Sequence, residues 1–213
     1  MSGLVTQLNR LAQWLALAVF YPLAAWPVGR WRSQQNLAQN RPRDIAGPPV
    51  LQQMAPETRW LCCGATTAGF AGCGPISVYN TLILLGRSAS LAEVIHRFER
   101  SRALALGGRA GTDPRAVGRI LRLYGLACRR VHSAAALENA LLPGGAAVLL
   151  IWNERDRIAG GAHYFAVQKS PDGGFTCCNH HPRQAPSLAG LIGGGRFAAG
   201  FVVEPPAWQA AAK

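Results

Sequence analysis

Residues 72–86 read GCGPISVYNTLILLG, and the organisation of the chain follows from this stretch. Apolar residues recur in it at helical spacing, which predicts a helix with a broad buried face. Pro75 suits the first turn of a helix, and Gly86 suits a left-handed C-terminal cap. Cys73 therefore lies at the N-terminus of the predicted helix, where the helix dipole is expected to lower the thiol pKa. Taken alone, the motif also fits a small buried cysteine at a tight turn.

A second stretch contains partners for a reactive cysteine. An apolar run begins at His163, residues 171–174 (PDGG) are a strong turn signal, and residues 175–179 are predicted to form the returning strand. In such a hairpin the start of the first strand lies beside the end of the second, so His163 and Asn179 are predicted neighbours. A cysteine nucleophile needs an imidazole as its base and a group that orients this imidazole. A site of Cys73, His163 and Asn179 therefore forms if the hairpin packs on the cysteine helix.

Together these features resemble the papain-like cysteine peptidases, and more closely their C39-like group, whose members include bacteriocin-leader peptidases. The resemblance covers roughly residues 60–204 and rests on four motifs: Gly72-Cys73-Gly74-Pro75, Gly111-Thr112-Asp113-Pro114, Ala162-His163-Tyr164-Phe165 and Asn179-His180-His181-Pro182. It implies hydrolysis of a peptide or amide bond in a peptide or protein substrate. The implied roles are nucleophile for Cys73, base for His163 and orienting group for Asn179. No cofactor is implied.

One position departs from the family pattern. The family usually has a glutamine six residues before the cysteine, whose side chain helps to bind the oxyanion, and here that position is Thr67. The hydroxyl of Thr67 or Thr66 is then the expected second donor, beside the backbone N–H of Cys73. Two alternatives to hydrolysis remain open. One is acyl or amide transfer by the same thiol, and the other is a papain-like binding module that has lost turnover.

The composition fits one packed domain with an N-terminal extension. The chain has 213 residues, of which 49% are hydrophobic and only 15% are charged. Signals for helices come first and those for a mostly antiparallel sheet follow, which predicts an α+β domain. The predicted organisation is a hydrophobic helix over 1–32, a linker over 33–57, a papain-like catalytic domain over 58–206 and a tail over 207–213.

Residues 1–32 are predicted to associate with a membrane. Leucines recur early in this segment at helical spacing, and residues 14–29 contain no charged side chain. Three interpretations stay open: a spanning helix, an amphipathic helix lying in the plane of the membrane, and a helix packed on the protein's own core. If the helix spans, the arginines that follow it place the catalytic domain in the cytoplasm by the positive-inside rule.

The charge and the cysteines bear on possible partners. The formal net charge is +12 and nearly all of the basic residues are arginines, which fits attraction to anionic lipid or to an acidic substrate. Nucleic-acid binding is not predicted, because no basic strand with interleaved aromatic residues and no recognition helix is visible. The six cysteines include two adjacent pairs, a pattern unlike a disulfide scaffold, so reduced thiols are predicted. A zinc site from Cys177, Cys178, His180 and His181 is disfavoured because a strand would divide these ligands between its two faces.

Overall fold

The computed structural model describes residues 2–26 and 28–203 and has α+β architecture, as predicted. The last residues assigned to the catalytic domain, 204–206, and the predicted tail over 207–213 lie outside the described residues. Helices dominate the first part of the chain, and the strands of the main sheet follow them.

The main sheet has six antiparallel strands in the order β3-β8-β4-β5-β6-β7. The bounds are β3 Cys128–Val131, β4 Ala146–Trp152, β5 Ala162–Lys169, β6 Phe175–Cys178, β7 Gln184–Ala185 and β8 Arg196–Val203. A separate two-stranded ribbon pairs β1 (Cys62–Cys63) with β2 (Thr66–Thr67). All seven residues of the central strand β4 are buried, because helices cover both faces of the sheet. This burial explains why the sequence of β4 is an uninterrupted apolar run.

The helices pack as two layers around this sheet. One face carries α6 (Cys73–Leu84), α7 (Leu91–Arg100) and α8 (Pro114–Leu123), and the other carries α9 (Ala134–Ala140) and α10 (Leu188–Ile192). Ser90 caps α7 by accepting the N–H of Glu93, as its capping-box pattern predicts. Asp113 and not Thr112 caps α8, since the carboxylate of Asp113 accepts the N–H of Arg115.

The predicted linker over 33–57 is partly helical. Helix α3 covers Arg30–Asn40 and buries Asn36 and Asn40, whose amides bond to backbone groups of β1 and the following loop. The linker prediction was wrong here because the segment has almost no apolar periodicity, and the contacts that hold it are polar. Residues 44–55 are irregular, and the short helices α4 (Pro56–Arg59) and α5 (Ala68–Ala71) lead into α6.

The N-terminal extension is a helical run over 2–24 that contains a π-helical turn, and not one helix over 1–32. Helix α1 covers Ser2–Leu15, a π-helical turn covers Ala16–Phe20, and α2 covers Tyr21–Ala24. Helix α1 lies against the loop over 153–161, to which Arg10 and Gln13 bond. None of the helices in the described ranges combines the length and apolarity that crossing a membrane requires.

Candidate active site

Cys73 is the first residue of α6, the buried helix that packs against strand β5. Glycines flank it because neighbouring groups leave no room for side chains. A Cβ on Gly72 would lie 2.4 Å from the carbonyl oxygen of Ala68, and one on Gly74 would lie 2.8 Å from the Cβ of Thr112. The Gly111–Pro114 motif thus packs directly against the start of the cysteine helix.

The thiol of Cys73 is held in an environment that opposes ionisation. The residue is 9% exposed, and burial raises the thiol pKa. Hydrogen bonds from the backbone N–H groups of Tyr164, Gly74 and Cys73 act in the other direction, because they favour the thiolate. The predicted lowering of this pKa by the helix N-terminus was therefore wrong: the N–H groups are present, but desolvation outweighs them.

The structure brings His163 and Asn179 together, as the hairpin predicts. The Nε2 of His163 lies 2.6 Å from the backbone carbonyl oxygen of Asn179. A carbonyl only accepts, so Nε2 carries the proton and Nδ1 of the neutral ring is left with the lone pair. Burial lowers the pKa of His163, the bond to Asn179 raises it, and nearby His180 lowers it further. The imidazole is therefore neutral near pH 7 and is available as a base.

The group that orients the imidazole is the main chain of Asn179, not its carboxamide. Asn179 has a φ of 66°, a left-handed conformation that asparagine adopts more readily than most residues. Its side chain faces a different partner, because Oδ1 accepts the N–H of Gln53 at 2.7 Å. The N–H of Asn179 also donates to the carbonyl of Leu51. The predicted role of the carboxamide is thus taken by the backbone, and the side chain clamps the irregular segment 51–53.

Cys73 lies beside β5, the strand that carries His163. The backbone N–H of Tyr164, the residue after His163, lowers the pKa of the Cys73 thiol. Within the described residues no direct hydrogen bond joins the thiol to the imidazole. Catalytic hydrogen bonds are often long in unliganded enzymes and tighten when substrate binds. The structure therefore brings the strand of the predicted base against the helix of the predicted nucleophile, and the ring of His163 itself lies against Phe165 and His180.

Neither predicted oxyanion threonine hydrogen-bonds to Cys73 within the described part of the chain. The hydroxyl of Thr66 donates to the carbonyl of Cys63, and Thr67 makes no side-chain cap to α5. Thr112 carries a third hydroxyl near the start of α6, for which the sequence predicts no role. Its Oγ1 is buried and has no hydrogen-bond partner among the described residues, and it lies against Gly74 at the start of α6. A buried hydroxyl without a hydrogen-bond partner lowers the stability of the folded protein. This one lies near the predicted nucleophile, so its lack of a partner calls for an explanation.

An apolar groove of about 890 Å³ lies at the start of β5, the strand that carries His163. Trp152, Ile158 and Ala162 line one side, and the N-terminal segment over 12–24 lines the other. Tyr21 belongs to this second wall. Burial raises its pKa, and the charge of the Cys73 thiolate raises it further, so the phenol lies within electrostatic range of the sulfur. The N-terminal extension therefore helps to shape the surroundings of the cysteine, which the sequence did not predict.

His180 forms a supporting layer behind the histidine. Its ring stacks on Phe165 at a centroid distance of 4.3 Å and lies 5.8 Å from the ring of His163. Its Nε2 bonds to the carbonyl of Leu191 at 2.9 Å, which holds the ring in place. Across residues 2–26 and 28–203, no three His, Cys, Asp or Glu side chains are grouped so that they could hold a metal ion.

Comparison with known proteins gives no family for the chain. The sequence matches no model of a protein family, and no curated protein matches it significantly.

Proposed function

We propose that the chain is a papain-like, C39-like cysteine peptidase that cleaves a peptide or amide bond with Cys73 as its nucleophile. The observation that carries the proposal is the bond between Nε2 of His163 and the carbonyl of Asn179. It leaves Nδ1 as a free base on the strand that packs against the helix headed by Cys73, and the N–H of the next residue, Tyr164, lowers the pKa of this thiol. An oriented base and a thiol at a helix N-terminus are the two groups that thiol-based acyl chemistry requires.

In the proposed reaction the sulfur of Cys73 attacks the substrate carbonyl carbon while Nδ1 of His163 takes the thiol proton. The carbonyl π electrons move to oxygen, and the backbone N–H of Cys73 donates to this oxyanion, with Thr112 as the proposed second donor. The oxyanion collapses, the C–N bond breaks, and the imidazolium gives its proton to the leaving amine. Water, deprotonated by His163, then hydrolyses the thioester and restores the thiol.

The carbonyl of Asn179 supports both charge states of the imidazole. It accepts Nε2–H throughout, and this bond favours the protonated ring, so its contribution grows as the proton arrives. Because burial lowers the pKa of His163, the resting pair is a neutral thiol and a neutral imidazole. The proposed mechanism is therefore general-base catalysis, and it does not start from a preformed thiolate–imidazolium pair.

The apolar groove gives a basis for the proposed substrate. Its walls of Trp152, Ile158, Ala162 and the N-terminal segment would accept apolar side chains of a peptide that lies across Cys73. The decisive experiment is labelling with a peptide chloromethyl ketone that carries an apolar side chain, followed by peptide mapping. We expect Cys73 to be modified in the unchanged chain and in the control variant His96→Ala, but not in His163→Ala. His96 is a suitable control because its ring bonds to Ser33 and takes no part in the proposed site. Labelling of Cys62 or Cys128 in preference to Cys73 would refute the proposal.

A binding module without turnover is the second candidate, and the raised pKa of the Cys73 thiol favours it. In that case the apolar peptide binds in the groove, but neither labelling of Cys73 nor product formation depends on His163. Acyl transfer remains an alternative fate of the thioester. Adding hydroxylamine during turnover distinguishes it from hydrolysis, since an enzyme that favours an amine acceptor yields mainly the hydroxamate.

A further inference from the structure

Helix α1 is attached to the protein through its polar face. Arg10 pairs with Asp156 at 2.9 Å, Asn9 accepts the N–H of Ile158, and Gln13 donates to two carbonyls of the same loop. A helix that packs on its own domain normally turns its apolar stripe inward. Here the orientation is reversed, so the apolar stripe is left facing outward.

The outward stripe is continuous and extends past α1. We define the N-terminal apolar face as the exposed residues Leu4, Leu8, Leu11, Leu15, Val19 and Leu23. The first four follow helical spacing, and Leu23 is 74% exposed. Single exposed leucines are common in soluble proteins, but a contiguous apolar stripe marks a surface that another phase or molecule covers.

The charge of the N-terminal part of the sequence favours one kind of occupant for this face. Residues 1–43 contain five arginines, Arg10, Arg30, Arg32, Arg41 and Arg43, and no acidic residue. In the described parts of the chain only Arg10 among these forms an ion pair. A second copy of the chain would bring these positive charges together, which disfavours self-association. An anionic surface is favoured instead, since basic residues near a membrane gain from its negative potential.

Exposed tryptophans also favour a membrane surface as the occupant of this face. Trp14, Trp26 and Trp31 are more than half exposed, and Trp31 reaches 75%. Tryptophan is enriched at the boundary between headgroups and acyl chains, where its apolar ring and its N–H both find suitable surroundings. An amphipathic helix in a segment that has arginines, no acidic residue and exposed tryptophans has the chemistry of an interfacial anchor.

We propose that the N-terminal apolar face docks in the plane of a bilayer surface that contains anionic lipid. Helix α1 lies along the interface with its leucines among the acyl chains, and the arginines meet the headgroups. The apolar groove at the start of β5 is lined by Leu15, Val19 and Leu23, so it opens onto the docked face. If the proposed function holds, its substrate is therefore presented at the membrane surface.

The test is co-sedimentation of the full chain with two kinds of vesicle: phosphatidylcholine alone, and a mixture in which about one third of the lipid is phosphatidylglycerol. We expect binding to the mixed vesicles, weaker binding to the neutral ones, and loss on raising the salt concentration. The double variant Leu8→Gln/Leu11→Gln is expected to lower the affinity about tenfold or more, because two leucines no longer enter the lipid.

The control is the double variant Leu123→Gln/Leu142→Gln, which changes two leucines of matching exposure outside the face. It is expected to bind like the unchanged chain. Absence of vesicle binding by the unchanged chain overturns the proposal, and so does an equal loss in both double variants. A dimer in light scattering that Leu8→Gln/Leu11→Gln dissociates, without vesicle binding, would assign the face to self-association. Since binding is read without turnover, Cys73→Ala is expected to bind normally, and failure of the catalytic proposal leaves this result unaffected.

Discussion

At the scale of single residues, the thiol of Cys73 is the group with the most informative titration. Burial raises its pKa more than three backbone N–H groups lower it. The rate of alkylation by iodoacetamide, measured at Cys73 by mass spectrometry across pH, is therefore expected to rise with a midpoint above that of a cysteine in a short unstructured peptide. A midpoint below the peptide's would instead indicate a thiolate–imidazolium pair and contradict the neutral resting state.

Two substitutions at Asn179 separate the role of its main chain from the role of its side chain. Asn179→Gly and Asn179→Ala both remove the side-chain bond to Gln53, but only glycine adopts a left-handed φ without strain. We expect Asn179→Ala to be less stable than Asn179→Gly by about 1 kcal/mol in urea unfolding. We also expect Asn179→Gly to keep the larger share of His163-dependent labelling. Equal loss of labelling in both variants would return the orienting role to the carboxamide.

The sequence located this pair because hairpin geometry depends on residue order and turn chemistry, both of which are visible in it. It could not assign the orienting group, because that depends on the backbone conformation of Asn179. Thr112 was missed for a related reason. Its hydroxyl matters only because α6 packs against the loop before α8, a contact between segments that no local pattern records.

At the scale of elements, the start of α6 depends on close backbone packing. A Cβ on Gly72 would lie 2.4 Å from the carbonyl oxygen of Ala68 and 2.7 Å from its Cα, and neither atom belongs to a flexible side chain. Gly72→Ala is expected to lower the free energy of unfolding by about 1–3 kcal/mol. Gly194→Ala is the control, because a Cβ there meets open space. Equal unfolding free energies for the two variants would show that α5 moves aside at little cost.

Helix α3 is held by a buried carboxylate. Oε1 of Glu99 accepts from the Gly64 N–H and the Asn36 amide, whereas Oε2 has no hydrogen-bond partner among the described residues. Burial raises the pKa of Glu99 most strongly, and these two bonds lower it. The pKa of Glu99 is higher in the folded protein than in the unfolded chain. The contribution of this carboxyl to stability is therefore complete at pH values below its ordinary pKa, and it is lost as the pH rises through the pKa in the folded protein.

Two variants test this account of Glu99. Glu99→Gln keeps an acceptor for both N–H groups and carries no charge, so its stability is expected to vary less between mildly acidic and neutral pH. Glu99→Ala leaves both donors without an acceptor and is expected to cost about 1–3 kcal/mol. The free energy of unfolding in urea is measured for each variant at both pH values. If both variants lose the same free energy at both pH values, titration of Glu99 is excluded as the cause.

Helix α3 also shows which kind of element sequence patterns fail to predict. Strands β4, β5, β6 and β8 were predictable because apolar periodicity reflects burial. Helix α3 has little apolar content, and its buried asparagines are satisfied by backbone groups of a distant ribbon. A polar segment that is fixed by long-range hydrogen bonds has the same composition as a linker, so composition could not separate the two.

At the scale of the whole molecule, the N-terminal extension connects the N-terminal apolar face to the surroundings of the cysteine. Tyr21 lies in the wall of the apolar groove and within electrostatic range of Cys73, and the chain continues to Ala25, which bridges to Ala105. The extension therefore lies near the cysteine and also carries the N-terminal apolar face. If it covers the thiol, removing the phenol ring should expose the sulfur.

Tyr21→Ala is therefore expected to increase the rate of Cys73 alkylation by iodoacetamide several-fold, because both access and hydration of the sulfur increase. Tyr21→Phe keeps the ring, so its rate of Cys73 alkylation should stay close to that of the unchanged chain. This variant separates shielding of the sulfur by the ring from an effect of the hydroxyl. Leu23→Ala changes an exposed side chain two positions along the same segment and should have little effect. Rates followed by mass spectrometry at neutral pH decide the outcome. If Leu23→Ala accelerates labelling as much as Tyr21→Ala, the gain comes from loosening of the whole extension, and the cover is not Tyr21 itself.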